Sequence, residues 1–242
     1  MRLLVRSWNL YHGRTHPPSE RLYLERMVRL ATADAPDVVA LQEVPMWAVR
    51  RLEAWSGMAG AWAMTMPALL GPLARRATDA DPVRLRSSLT GQANALLVNP
   101  HLPVRRHRRV VLNPGLSRTD WLVRGGQRRV CHAVEAETRA GPLVLANLHA
   151  SNDPDRKLVA EEIERAVRFL AGPEPCVLCG DFNAERHAVP GFSEPIEGID
   201  QILVRGLALV RPPEAWPEER RRADGALLSD HAPVDAVVEW TS

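Results

Sequence analysis

Six short polar clusters in this chain combine the residue types that hold a hard cation beside a proton-transfer group: Asn9, Glu43, His149, Asp181 with Asn183, Asp200, and Asp230 with His231. Carboxylate and amide oxygens suit Mg²⁺, which takes few protein ligands and keeps coordinated waters, while imidazoles exchange protons near neutral pH. Each residue type also has an ordinary use. An Asp or Asn after a strand forms turns through its own side chain, and a solitary histidine is often a hydrogen-bonded structural group. Position separates the two readings. Every cluster falls where a strand is expected to begin or end, so strands shared between two facing sheets would bring the six to one rim.

The stretch PCVLCGDFNA at 175–184 shows how one cluster is carried. Cys176 to Cys179 read as a short buried strand, and Gly180 is expected to let the chain turn so that Asp181 and Asn183 emerge together. In open α/β proteins, ligands sit in the groove outside the strand ends. An ordinary turn accounts for the same residues, so this stretch alone leaves both readings standing. Cys176 and Cys179 have CxxC spacing, but residues three apart on a strand face opposite ways and no second pair completes a zinc site. With Cys131 they read as small core residues.

The other clusters need similar carriers. A strand over 2–8 delivers Asn9. After a loop over 12–18, Ser19 is expected to cap a helix whose apolar Leu24, Met27, Val28 and Ala31 repeat at helical spacing, with Pro36 ending it. The run at 37–41 is a buried strand that carries Gln42 and Glu43 to its carboxyl end, and Pro45 opens a second helix to about Trp55. Strands are expected over 61–66, 93–98, 104–112, 129–137 and 143–148, the last two forming a hairpin that ends in Asn147 and His149. A helix capped by Asp153, with Pro154 in its first turn and Val159, Ile163, Ala166, Val167 and Leu170 on one face, stops at Gly172 and Pro173. Strands over 199–204 and 234–240 follow, separated by a long Pro- and Arg-rich loop at 211–228 that carries Trp216. Residues 67–92 read as another long loop.

At 242 residues and 45% hydrophobic content the chain can bury a large core, and 1–242 is read as a single domain of the α/β class. Arg2 and Arg6 interrupt an amino-terminal segment that has no long apolar run, so neither a membrane span nor a secretory signal is expected and the location is taken as cytoplasmic. No protein partner is inferred. A formal net charge of +2 does not demand a polyanion, but Lys157 is the only lysine and guanidinium groups suit phosphate oxygens. Clusters at Arg105, Arg106, Arg108 and Arg109, at Arg124, Arg128 and Arg129, and at Arg220, Arg221 and Arg222 are therefore candidates for phosphate contact. Against this, a chain-wide arginine bias also follows from base composition, and charge runs are ordinarily solvated faces.

Taken together, SWNLYHG at 7–13, PDVVALQEV at 36–44, LANLHASND at 145–153, CGDFNA at 179–184, GIDQILV at 198–204 and SDHAPV at 229–234 resemble, in order and over nearly the whole chain, the endonuclease/exonuclease/phosphatase superfamily of metal-dependent phosphoesterases. The resemblance implies a four-layer α/β sandwich: two mixed β-sheets packed face to face, helices on the outside and a catalytic cleft at one edge. It makes Glu43 the principal metal ligand, assisted by Asn9 and Asp230, with Mg²⁺ as the ion and Mn²⁺ as an alternative. It gives His231 the work of activating water or stabilising the pentacovalent phosphorane, with Asp200 orienting it, and makes Asp181 the group that aligns or deprotonates the attacking water. Asn183 and His149 become phosphate contacts, His149 also an acid.

His149 is similar to the pancreatic-type deoxyribonucleases and the phosphodiesterase branches, whereas abasic-site endonucleases tend to carry tyrosine there. Ala184 after Asn183 departs from the inositol phosphatase pattern. In GQANALLV at 91–98, Asn94 stands where the family often has an acid or an aromatic residue. The expectation is a phosphodiesterase or nuclease acting on nucleic acid, with Trp121 or Trp216 as stacking surfaces. The alternatives are a phosphatase or phosphodiesterase for a small-molecule or lipid phosphate ester, and a catalytically silent binding protein on the same fold.

Overall fold

Short apolar runs bounded by Gly, Pro and polar residues form strands here because each can bury both faces at once. The computed structural model describes residues 1–19, 21–73, 76–77, 87–115 and 127–241. One sheet has the order β11 (Leu207–Ala215), β14 (Val234–Trp240), β1 (Arg2–Asn9), β3 (Val38–Pro45), β5 (Gln92–Val98), β4 (Ala59–Met66). The other has the order β10 (Asp200–Arg205), β9 (Cys176–Asp181), β8 (Gly141–His149), β7 (Val130–Thr138), β6 (Val104–Val111). Strand β1 pairs in parallel with β3, and β8 with β9, while the remaining neighbours run antiparallel, so both sheets are mixed. A small sheet of β12 (Arg222–Ala223), β13 (Ala226–Leu228) and β2 (Thr15–His16) closes one end.

Strand β3 shows the layering. Val38 and Ala40 enter the core between the sheets, with Leu3, Val5, Val177 and Ile202. Val39 and Leu41 point the other way, under Met27, Val28 and Ala31 of α1 (Leu24–Thr32) and Leu52 of α2 (Leu52–Ser56). On the far side Val159, Ile163 and Ala166 of α3 (Arg156–Phe169) cover Ala146, Cys176 and Leu178. The result is the expected four-layer sandwich, and a strand buried on both faces reads as a continuous apolar run for that reason. Cys176 and Cys179 lie in different cores, as their spacing implies, and burial pushes the Cys176 thiol up to about 12.

A polar bridge crosses the inner core near one rim. Asn147 on β8 donates from Nδ2 to the carbonyls of Leu41 at 3.0 Å and Ala95 at 2.8 Å, and accepts at Oδ1 from Gln42 Nε2 at 2.8 Å. Its neighbours in sequence are Glu43 and His149, so the bridge fixes the spacing of the sheets just beneath the candidate site. Asn94 is likewise buried and donates to the carbonyl of Val130 at 3.2 Å, a structural use.

Several local expectations differ from the structure. Ser19 does not cap α1. Its N–H donates to Thr15 Oγ1 and its hydroxyl to the carbonyl of Arg21, and the helix begins at Leu24 without a side-chain cap. Strand β3 extends to Pro45, so the second helix shrinks to one 3₁₀ turn at Val49–Arg51 and α2. Asp155 caps α3 by accepting from the N–H of Lys157 at 3.0 Å, while Asp153 accepts from the N–H of Asp155 and closes the preceding turn. Much of 211–228 is ordered structure: β11 runs through Pro212 and Pro213, which an edge strand tolerates, with register shifts between Leu209 and Glu214. Trp216 is buried, with Arg6 Cζ 4.3 Å and Arg220 Cζ 3.4 Å from its ring centroid, and so offers no stacking surface to a base. Trp121 and Arg124 lie outside the described residues.

Candidate active site

Backbone strain concentrates at the rim where the strands end. Eight non-glycine residues have left-handed φ among the described residues, and five of them, Tyr11, His12, Glu43, Asn183 and Ser229, border this cleft. Such conformations cost of order 1–3 kcal/mol each and persist where surrounding structure imposes them. Glu43 owes its position to a β-bulge. Leu41 pairs with Ala95 but Val44 with Ala93, so β3 carries one extra residue, and Glu43 at φ 55° turns out of the ladder.

Gly180 acts differently from the turn former expected. It remains inside β9, opposite Leu148 of β8, and a Cβ there would lie 2.0 Å from the Leu148 carbonyl oxygen. Glycine lets β8 and β9 approach closely, setting His149 directly opposite Asp181. Their side chains come within 3.5 Å, from His149 Nε2 to Asp181 Oδ2. The same carboxylate accepts from Asn9 Nδ2 at 3.0 Å through Oδ2 and from the N–H of Asn183 at 3.0 Å through Oδ1. Asn183 Nδ2 donates to the carbonyl of Ala150 at 3.0 Å, which fixes its side chain beside β8.

Asp200 begins β10, in register with Asp181. Its Oδ2 lies 2.7 Å from His231 Nδ1, and His231 Nε2 lies 3.8 Å from Asp181 Oδ2. The loop bearing His231 is held by its backbone. Ser229 Oγ donates to the carbonyl of Asn9 at 2.6 Å and accepts from the N–H of His231 at 3.1 Å, while Trp8 Nε1 donates to the carbonyl of His231 at 3.0 Å. Arg221 adds donations to the carbonyls of Ser229 at 2.9 Å and Leu228 at 3.3 Å. Arg221 therefore supports the site from beneath, while Arg220 pairs with Asp34 and Arg222 with Glu218, so this arginine cluster is not a phosphate-facing surface.

Burial and charge act differently on each group. Burial alone would raise the Glu43 carboxyl, but His12, with His149 and Arg129 behind it, holds it below the usual carboxylate range. Burial, with Arg129 nearby, takes the His149 imidazole down to about 3, so it is neutral. Asp181 is raised by burial and by the Asp200 carboxylate, against the opposing pull of His231. Burial opposes charge on His231, but the hydrogen bond and charge of Asp200, joined by Asp181 and Asp230, raise it to about 10.

The structure thus gathers Asn9, His149, Asp181, Asn183, Asp200 and His231 through direct or shared contacts, while Glu43, on the bulge of β3, is held by His12. Asp230 is exposed, and its Oδ1 lies 3.4 Å from Ser229 Oγ. Sequence reasoning missed His12, whose Nε2 lies 2.8 Å from Glu43 Oε2, and the electrostatic role of Arg129 at Glu43 and His149. His12 stands inside the segment SWNLYHG, but only the turn at Tyr11 and His12 brings it onto Glu43.

The donor set fits a divalent cation. Asp181, Asp200 and His231 each offer a ligand atom, all within 4.8 Å of one another. Asp200 Oδ1 and His149 Nδ1 are buried without a hydrogen-bond partner, capacity that a bound phosphate, ion or water would take up. Carboxylate oxygens beside imidazoles can also orient water and stabilise charge on a phosphoryl group.

The fold recurs in known proteins. Comparison with curated protein sequences returns no match. Among solved structures, an endonuclease/exonuclease/phosphatase from Beutenbergia cavernae superposes with a TM-score of 0.73 at 17% identity, covering 100% of this chain and 72% of that one. A humanized Danio rerio TDP2 gives 0.68 at 14% identity over 98% and 99% of the two chains. The human Nocturnin catalytic domain, solved with a bound sulfate anion, gives 0.67 at 16% identity over 99% and 94%. Residues 7–231 match the sequence profile described as the Endonuclease/Exonuclease/phosphatase family, and with that match over nearly its whole length the chain belongs to this family, whose members are typically hydrolases acting on phosphoesters.

Proposed function

We propose that this chain is a divalent-metal-dependent phosphodiesterase that hydrolyses nucleic-acid phosphodiester bonds. The observation that carries the reading is the line from Asp200 through His231 to Asp181, at 2.7 Å and 3.8 Å. Asp200 accepts the Nδ1–H of His231, which fixes the imidazole and directs Nε2–H toward the cleft. In this reading Asp181, with both oxygens oriented by Asn9 and by the backbone of Asn183, aligns a water for in-line attack and takes its proton. The Nε2–H of His231 donates to a phosphoryl oxygen as negative charge builds there, while the P–O bond opposite the entering water breaks and the departing oxygen takes a proton from solvent. Asn183 and His149 contact the phosphate, and the neutral state of His149 favours that role over acting as an acid. Glu43 and Asn9, with Asp230 as a third donor, would hold the cation, which supplies Lewis-acid stabilisation of the phosphoryl charge when bound; Mg²⁺ or Mn²⁺ suits these oxygens.

The test is purified protein with Mg²⁺ or Mn²⁺ against single-stranded DNA, duplex DNA, RNA, bis-p-nitrophenyl phosphate and p-nitrophenyl phosphate. Diester cleavage that includes a nucleic acid is the expected outcome. Cleavage of the monoester alone would replace this reading with a phosphatase.

A further inference from the structure

The two sheets differ by one strand, and the difference opens a pocket. The six-stranded sheet ends at β4, which lies over β7, whereas the five-stranded sheet continues to β6. Val134 of β7 faces the inter-sheet core, so its partner His107, with Arg109 and Val111 at the same parity, lines the face of β6 that no described strand covers. Beneath this overhang is a pocket of about 310 Å³, walled by Met64, Met66 and Val111 and carrying Arg109, Arg128 and Thr65.

The pocket opens at the catalytic end of the sandwich. Met66 pairs with Gln92, which pairs with Pro45, two residues beyond Glu43. Val111 pairs with Val130, which pairs with His149. The pocket therefore lies two strands away from both Pro45, beside Glu43, and His149.

Two independent observations mark it as a binding site. In the basic run of β6, Arg105 is paired with Glu137 and both Arg106 and Arg108 with Glu135, but Arg109 makes no ion pair or side-chain hydrogen bond among the described residues. Among the described residues the Arg128 side chain is also unpaired, while its backbone N–H donates to the carbonyl of Thr65. Among the described residues no lining residue is acidic. The second observation is Thr65 Oγ1, on a residue only 4% exposed, which has no hydrogen-bond partner. Two exposed guanidiniums without a carboxylate partner suit an anion, the apolar wall a flat or aliphatic body, and the orphan hydroxyl a polar edge.

We infer that this pocket binds the nucleotide next to the scissile phosphate, its base against Met64, Met66 and Val111 and its own phosphate on Arg109 and Arg128. The inference rests on the phosphodiesterase reading and adds a substrate class to it. A base stacked and paired in a duplex cannot enter a pocket of this size, so the substrate presents an unpaired nucleotide, at the end of a strand or in a small nucleotide diester.

Equilibrium titration with thymidine 3′,5′-bisphosphate in EDTA reads binding without turnover. Affinity should fall by about tenfold or more in Arg109→Ala/Arg128→Ala, each lost contact being a charge-assisted hydrogen bond, and in Val111→Trp, which fills the pocket. Arg105→Ala/Arg106→Ala, which removes paired arginines outside the pocket, should bind as the wild type does. Unchanged affinity in a folded Arg109→Ala/Arg128→Ala protein, checked by circular dichroism, overturns the inference. A thymidine tetranucleotide distinguishes the sources: tighter binding than the bisphosphate identifies a strand end, and equal binding a small diester. Loss confined to the tetranucleotide makes the arginines a backbone track and also overturns the pocket. Retained nucleotide binding without hydrolysis of bis-p-nitrophenyl phosphate by the wild type would remove the proposed reaction and leave this site standing.

Discussion

His231 Nδ1 and Asp200 Oδ2 lie 2.7 Å apart, joining the loop before β14 to the first residue of β10. These two strands belong to different sheets, so the contact fixes the imidazole relative to both. Asp200→Asn keeps the shape but replaces the charged acceptor with an amide that can flip, removing the main charge that keeps His231 protonated and leaving the ring free to lose its proton from either nitrogen. Turnover should fall by roughly 10²–10⁴-fold with little change in KM, the range expected for disabling one proton-transfer group. Steady-state kinetics on a diester, with the imidazole protons followed by NMR, check it. Loss of activity with the Nδ1 proton unchanged would assign Asp200 a different role.

Glu43→Gln removes a charged ligand while keeping the bulge and its backbone conformation. The metal concentration for half-maximal rate should rise by about tenfold or more, since a carboxylate oxygen binds a hard cation better than an amide does. Calorimetric titration with Mn²⁺ measures the same loss without turnover, and unchanged affinity would move the cation to the cluster of Asp181, Asp200 and His231.

Gly180→Ala tests the close approach of β8 and β9. A Cβ 2.0 Å from the Leu148 oxygen cannot be accommodated without parting the strands. Thermal or urea unfolding should show a loss of roughly 3 kcal/mol or more, in the range for strain at a special backbone position. A substitution within experimental error of the wild type would mean that the strands separate at no cost.

His132 is fully buried on β7, with His107 Nε2 3.2 Å from its Nδ1, and burial together with the His107 charge lowers it to about 3 from an ordinary 6.5. Between those values the unfolded chain binds the proton and the folded chain does not. Its contribution is therefore complete above pH 6.5 and declines as the pH falls toward 3. Urea unfolding as a function of pH should show a shallower decline in His132→Leu, with a residual slope from buried His149. Identical slopes would show that His132 protonates without unfolding.

Much of the architecture is legible from residue pattern because buried strands are short apolar runs whose alternating faces serve two cores, as Val38 to Leu41 do. The strand ends follow, and with them Asn9, Glu43, His149, Asp181, Asp200 and His231. What pattern does not carry is tertiary. The left-handed φ of Glu43 depends on a bulge against β5, and Gly180 is required by the carbonyl of Leu148 on a different strand, distant in sequence. Pro212 and Pro213 hide β11 because proline signals a break unless the strand is known to lie at an edge. Helix caps shifted for a local reason: Ser19 and Asp153 found nearer backbone partners in turns than at the helix ends.

Hydrolysis of bis-p-nitrophenyl phosphate by the wild type and by His231→Ala, with and without added Mg²⁺ or Mn²⁺, tests the central claim most directly. Turnover should require the metal and fall by roughly 10³-fold or more in His231→Ala, as expected when a preorganised donor to the developing charge is removed, with the melting temperature nearly unchanged. Undiminished metal-dependent turnover by folded His231→Ala protein would contradict the account.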